Sequence, residues 1–295
     1  MLKGVALGFL TYALFSSADA LIKSLGGELP VVEIVFLATL TSFIVILVLR
    51  PRGERWRDMF RMNHPKRVLL RAACGIISGI GATFAFTTIP LAEAYAIIFL
   101  SPVLVTLMSI PLLGERVGWR RIGAVVLGLT GMLLVVKPGF RELQPGHLAA
   151  FIVAFAGATS MIVLRMVGQT ERRVSLIGVV MVSALVVSGA LMIPVFVWPS
   201  GGAILRLCLI GVLGGTAQMT LMAATRLAPA NRVAPAQYSQ VIWAVVFGVL
   251  FFAEVPDWVA FAGIGMIGLS GLFTLLREDK VSGWPRRVPL LRNRL

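Results

Sequence analysis

The sequence predicts an all-α integral membrane protein: ten transmembrane helices arranged as two inverted five-helix repeats. Three observations carry that reading. Hydrophobic residues make up 58% of the 295 and charged residues only 14%, with a mean hydropathy of +0.92. A soluble domain carries about 25% charged residues, so this chain cannot cover itself with polar surface. One pattern also occurs twice. Pro90 is followed by Glu115, Gly123, Gly128 and Gly131, and Pro229 by Glu254, Gly263, Gly268 and Gly271, with the same 25-residue step from Pro to Glu. Finally, the basic residues are unevenly placed. With both chain ends on one side of ten spans, 23 of the 27 lysines and arginines share that side, as the positive-inside rule requires.

A bilayer crossing needs about 20 mostly apolar residues. The spans are expected at 4–22, 30–49, 68–88, 91–112, 119–136, 147–168, 175–198, 203–225, 233–253 and 258–276. They divide the chain into repeats 1–140 and 141–276 and a basic tail, 277–295. Five spans per repeat is odd, so the second copy enters the membrane from the opposite face. Two halves related in this way can rock around a shared midplane site. The chain is therefore expected to be a multi-pass membrane protein with both termini cytoplasmic.

The first span carries a polar stripe. Tyr12, Ser16, Asp19 and Lys23 fall at i, i+4, i+7 and i+11, one face of a helix that cannot comfortably meet lipid. Asp19 and Lys23 lie one turn apart and can pair with each other, as a structural ion pair; a gate or a substrate-charge contact is the alternative. Lys3, an apolar run and Ala18-Asp19-Ala20 imitate a cleavable leader, but cleavage would leave nine spans, so the first helix is expected to stay. Glu33 and Glu93 open spans two and four, where carboxylates suit helix N-termini; proton coupling is the alternative. Trp56, Met59 and Phe60 among arginines suggest an interfacial helix between spans two and three. Pro102 stands mid-span in span four and predicts a kink, whereas Pro235 lies near the start of span nine. Gly4 with Gly8, Gly75 with Gly79, and Gly211 with Gly215 predict close helix packing. Glu115 and Glu254 end spans four and nine and read as structural.

Polar and aromatic residues elsewhere suggest a solute cavity. Span three offers Thr83 and Phe84, span four Tyr95 and Phe99, and span six Ser160 and Met161. Span eight offers Gln218 and Met219, and span nine Tyr238, Gln240 and Trp243. With Tyr12 and Ser16 these suit a modest, amphipathic, uncharged or zwitterionic solute. Only Lys23 and Arg206 are placed at the outer span ends, which argues against highly anionic cargo.

Other classes fall away. The formal charge of +14 serves membrane orientation, so no nucleic acid is expected as a partner; small solutes and membrane lipids are, with the chain a monomer or homodimer. Gly263-Ile-Gly265-Met-Ile-Gly268 matches a dinucleotide fingerprint but sits inside a span without a preceding strand. His64 and His147 lie on opposite sides, and no P-loop or H-E-x-x-H occurs, so neither an enzyme, a cofactor nor a metal site is expected. Cys74 and Cys208 sit in apolar runs and read as buried small hydrophobes.

The repeat ends Leu112-Leu113-Gly114-Glu115-Arg116 and Phe251-Phe252-Ala253-Glu254-Val255, each before a glycine-rich span, resemble the EamA-type repeat of the drug/metabolite transporter superfamily. The resemblance covers residues 4–276 and is nearest to bacterial exporters, including those of aromatic amino acids. It implies a central cavity lined by the first, third and fourth helices and their mates. It also implies secondary transport of amino acids or similar metabolites, outward. Uptake of a vitamin, a nucleoside-like or a cationic solute is the alternative. Three departures stand out: Val241 and Ala253 where the first repeat has Pro102 and Gly114, and Glu33 near a position where many relatives carry Arg.

Overall fold

The computed structural model describes residues 2–49, 58, 60–114, 119–137, 142–168, 170–228 and 233–278. The expected interfacial helix around Trp56 and Met59, Glu115 and most of the basic tail lie outside them. The described chain forms α1 (Leu2–Ser24), α2 (Val31–Leu49), α3 (Pro65–Thr88), α4 (Leu91–Ile98), α5 (Ser101–Leu113) and α6 (Trp119–Val136). Then come α7 (Pro145–Val167), α8 (Arg173–Met192), α9 (Gly201–Leu227), α10 (Ser239–Phe252) and α11 (Trp258–Glu278). A 3-10 turn, Ala234–Tyr238, leads into α10 and completes span nine. Seven stretches, α4 and α5 counted as one, are long and apolar enough to cross a membrane, and three shorter apolar helices accompany them. Large apolar side chains such as Phe9, Leu70, Phe155, Leu205 and Phe251 cover the outside, a surface suited to lipid.

Local chemistry sets the ends. Pro65 opens α3 and Pro145 opens α7, where the missing N–H is no loss. Ser200 caps α9 by accepting from the Ala203 N–H at 3.1 Å. Span four breaks at Phe99-Leu100, and Pro102 starts its second half, α5; the expected kink is a full interruption. The ends of spans four and nine share one backbone device. Gly114 (φ 68°) and Ala253 (φ 55°), repeat-equivalent, both take the left-handed C-cap conformation. There a Cβ costs about 1–2 kcal/mol, yet the second repeat carries one.

The repeats pair with their roles exchanged. α1 packs along α9 as α3 packs along α7, and α5 meets α7 as α10 meets α1. α2 packs on α8, and α6 on α11. Gly4 meets Ala228 at one end of α1, while Arg206 bonds to Ser24 at the other, so α1 and α9 are antiparallel. Gly146 against Thr88 and Arg71 against Ser160 show the same for α3 and α7. The second repeat is therefore upside down relative to the first. Glycine makes the closest approaches possible. A Cβ on Gly211 would stand 1.7 Å from Thr41 Oγ1, and one on Gly263 would stand 2.5 Å from the Gly131 carbonyl. The first glycine of the false dinucleotide motif is thus at a helix crossing. Cys74 is buried as expected, but Cys208 is exposed on α9.

Candidate functional site

A cavity of about 410 Å³ lies between the repeats, walled by α1, α2 and α3 from the first and by α8 and α9 from the second. We call the end carrying Lys23 upper and the end carrying Arg71 lower. Phe15, Ile22, Val180 and Met181 supply apolar wall, and Asp19, Thr39, Ser42, Arg71, Thr83 and Gln218 supply polar groups. This differs from the expected lining. Among the described residues spans four, six and nine contribute no lining residue, whereas α2 and α8 do.

Asp19 accepts a hydrogen bond from the Tyr95 hydroxyl, which in turn accepts from Gln240 Nε2 at 3.3 Å. Tyr95 belongs to a chain of rings, Phe86, Tyr95, Phe99 and Tyr238, with centroids 5.4, 5.8 and 5.4 Å apart. The sequence-predicted residues Tyr95, Phe99, Tyr238 and Gln240 are thus brought together, but as a packed layer behind Asp19 that joins α4 to the entrance of α10. At the lower end Arg71 Nη1 donates to Ser160 Oγ at 2.8 Å. Among the described residues neither Asp19 nor Arg71 has an oppositely charged side chain within salt-bridge distance.

Of the other predicted residues, Thr83 and Gln218 line this cavity, while Tyr12, Ser16, Phe84, Met219 and Trp243 do not. Ser16 is buried on α1, and Trp243 stacks on Phe247 at 5.6 Å. Met161 is 46% exposed and faces outward; its neighbour Ser160 holds Arg71. The expected Asp19–Lys23 pair is not formed. Lys23 Nζ turns instead to Glu254 Oε1 at 2.7 Å and to the carbonyls of Ile89 at 2.8 Å and Phe86 at 3.3 Å. Those carbonyls close α3, where a cation is favoured. Glu254 Oε2 accepts from the Leu91 N–H at 3.0 Å, satisfying an otherwise orphaned donor at the start of α4.

Around this node the upper end is laced by acid–base pairs that cross from repeat to repeat. Glu93 meets His147 at 3.0 Å, Glu28 meets Arg206 at 2.5 Å, and Lys137 pairs with Asp257. Glu33 is fully buried and accepts from the Val197 N–H at 3.1 Å. Glu33 and Glu93 stand in the first turns of α2 and α4, as expected, and also bond across to the second repeat. At the lower end Glu171 accepts from the His64 N–H. Glu33 Oε1 and Glu171 Oε2 are buried without a hydrogen-bond partner among the described residues.

Two residues that shape this site escaped the sequence reading. Arg71 is one of the 23 basic residues that share a side, yet it stands inside the third span, 68–88, and that depth was the available signal. Glu254 was read as structural, but its partner is set by packing of α1 against α10, which no spacing reveals.

The comparisons agree with the fold and extend it. The EamA-like transporter family model matches twice, over residues 2–137 and 144–276. The pseudopaline exporter CntI of Pseudomonas aeruginosa is 28% identical over 284 residues, covering 94% of this chain and 97% of that protein. The S-adenosylmethionine uptake transporter of Rickettsia felis is 23% identical, covering 95% and 94%. A crystal structure superposes with a TM-score of 0.63 at 19% identity, over 96% of this chain and 100% of that one, which speaks to the fold alone. Family and relatives point to transport of a small molecule across a membrane rather than to enzymic turnover. The chain belongs to the EamA-like transporter family.

Proposed function

We propose that the protein is a secondary transporter that moves an amino acid or a similar zwitterionic metabolite outward across a bacterial inner membrane by alternating access. Repeats 1–140 and 141–276 are the moving units, and both termini face the cytoplasm. The observation that carries the reading is the cavity between the repeats, clasped at its upper end by pairs that each join one repeat to the other. Such a clasp suits one of two exchangeable states: upper end closed here, lower end closed in its counterpart. On the charge distribution the upper end faces outward. The relatives' names bracket the cargo. One is named for export of pseudopaline and the other for uptake of S-adenosylmethionine, so direction rests on the exporter resemblance.

The test is counterflow in proteoliposomes containing the purified protein. Preloaded unlabelled amino acid should accelerate entry of the labelled form, without nucleotide. Absence of counterflow across neutral, aromatic and cationic amino acids, by protein that remains folded, would overturn the proposal. Repeating the assay with and without a pH gradient shows whether a proton travels too. Glu33 and Glu93 are the candidate carriers, Glu33 by its unpartnered oxygen and Glu93 by its contact with His147.

A further inference from the structure

Asp19 and Arg71 are the charges that face this cavity, and the protein itself supplies no counter-charge to either among its described residues. An unpaired charge at membrane depth costs several kcal/mol, and a partner arriving with the cargo would relieve that cost. Their heights in the bundle matter. Lys23, one turn above Asp19, bonds to the Phe86 carbonyl, so Asp19 stands level with Thr83 on α3. Arg71 lies twelve residues below Thr83 on that helix, about 18 Å at 1.5 Å per residue. The Arg71 side chain shortens the gap but does not close it, and Ser160 holds Nη1 in place. A simple α-amino acid carries both charges on one carbon and cannot reach both ends.

Resting on the transport reading above, we propose that the cargo is an extended zwitterion, its carboxylate bound by Arg71 and its ammonium by Asp19 across the length of the cavity. Arg71 Nε donates to the Leu176 carbonyl at 3.5 Å and Nη1 to Ser160, which leaves Nη2 to give a carboxylate a charge-assisted hydrogen bond. Thr39, Ser42 and Gln218 lie on the wall between, where amide or hydroxyl groups of a longer molecule find partners.

The test measures binding of glycine, 6-aminohexanoate, 8-aminooctanoate and 12-aminododecanoate, and of 8-aminooctanamide, to the purified full-length protein. Native protein should bind the matched long acid at least about tenfold more tightly than glycine or the amide. Arg71→Gln should remove that advantage and leave amide binding unchanged, whereas Arg71→Lys, which keeps the charge, should retain part of it. Equal binding of acid and amide, native affinity for the acids in Arg71→Gln, or no binding of any long acid by native protein overturns the proposal. So does stabilisation by phosphatidylglycerol that Arg71→Gln abolishes while the acids have no effect, because Arg71 would then hold a lipid headgroup. If native protein exchanges ordinary amino acids but binds 8-aminooctanoate no more tightly than glycine, transport stands and this inference falls. If native protein neither exchanges nor binds, both fall.

Discussion

At the upper seam Lys23, His147, Arg206 and Lys137 each face an acid from the opposite repeat. Below it, in the cavity, Asp19 and Arg71 face apolar wall, hydroxyls and amides. The same residue types are neutralised where the repeats touch and left open where they separate. Burying an ion pair gains stability only when its remaining hydrogen bonds are met, and removing one partner is costly. The Lys23–Glu254 node meets that condition through the Ile89 carbonyl and the Leu91 N–H. The cavity charges do not, and on the transport proposal their worth lies in what they recognise rather than in the stability they confer.

Three substitutions probe that contrast. Lys23→Met should have the largest effect on stability, about 3 kcal/mol, because it strands Glu254 in a mostly buried site. Thermal unfolding in detergent would show it, and Lys23→Met with Glu254→Gln should regain at least half. Asp19→Asn should do the reverse. The amide oxygen still accepts from Tyr95, so stability should hold within about 1 kcal/mol, while counterflow falls about tenfold or more. A destabilised but fully active Asp19→Asn protein would invert the comparison. Glu28→Gln should be the mildest, under about 1 kcal/mol, since the Glu28 side chain is 47% exposed. A loss as large as that of Lys23→Met would mean that the whole seam behaves as one network.

Much of the fold was legible because it depends on local composition. The fifth span was expected at 119–136 and α6 covers Trp119–Val136, since an apolar run of membrane length announces itself. A distortion near Pro102 was legible too, because proline lacks an amide hydrogen wherever it sits, but its extent, a full interruption at Phe99-Leu100, was not. The site was less so. Met161 and Ser160 are neighbours in sequence, yet one faces outward and the other holds Arg71. That difference is the rotation of α7 about its axis, which is set by α3 and α5 packing against it. Lys23 had an acid four residues away on its own helix and chose one just beyond the end of α10, because two carbonyls and a ring lie there as well.

The order of apolar runs, the duplicated Pro–Glu–Gly pattern and the one-sided basic residues were enough by themselves to determine ten spans in two opposed halves. These are properties of chain segments against a hydrocarbon layer, and a segment's transfer energy does not need its neighbours. Which charges meet, and which helices wall the cavity, was decided only when the repeats packed. Those outcomes depend on helix rotation and on distances of a few ångströms between segments far apart in the chain.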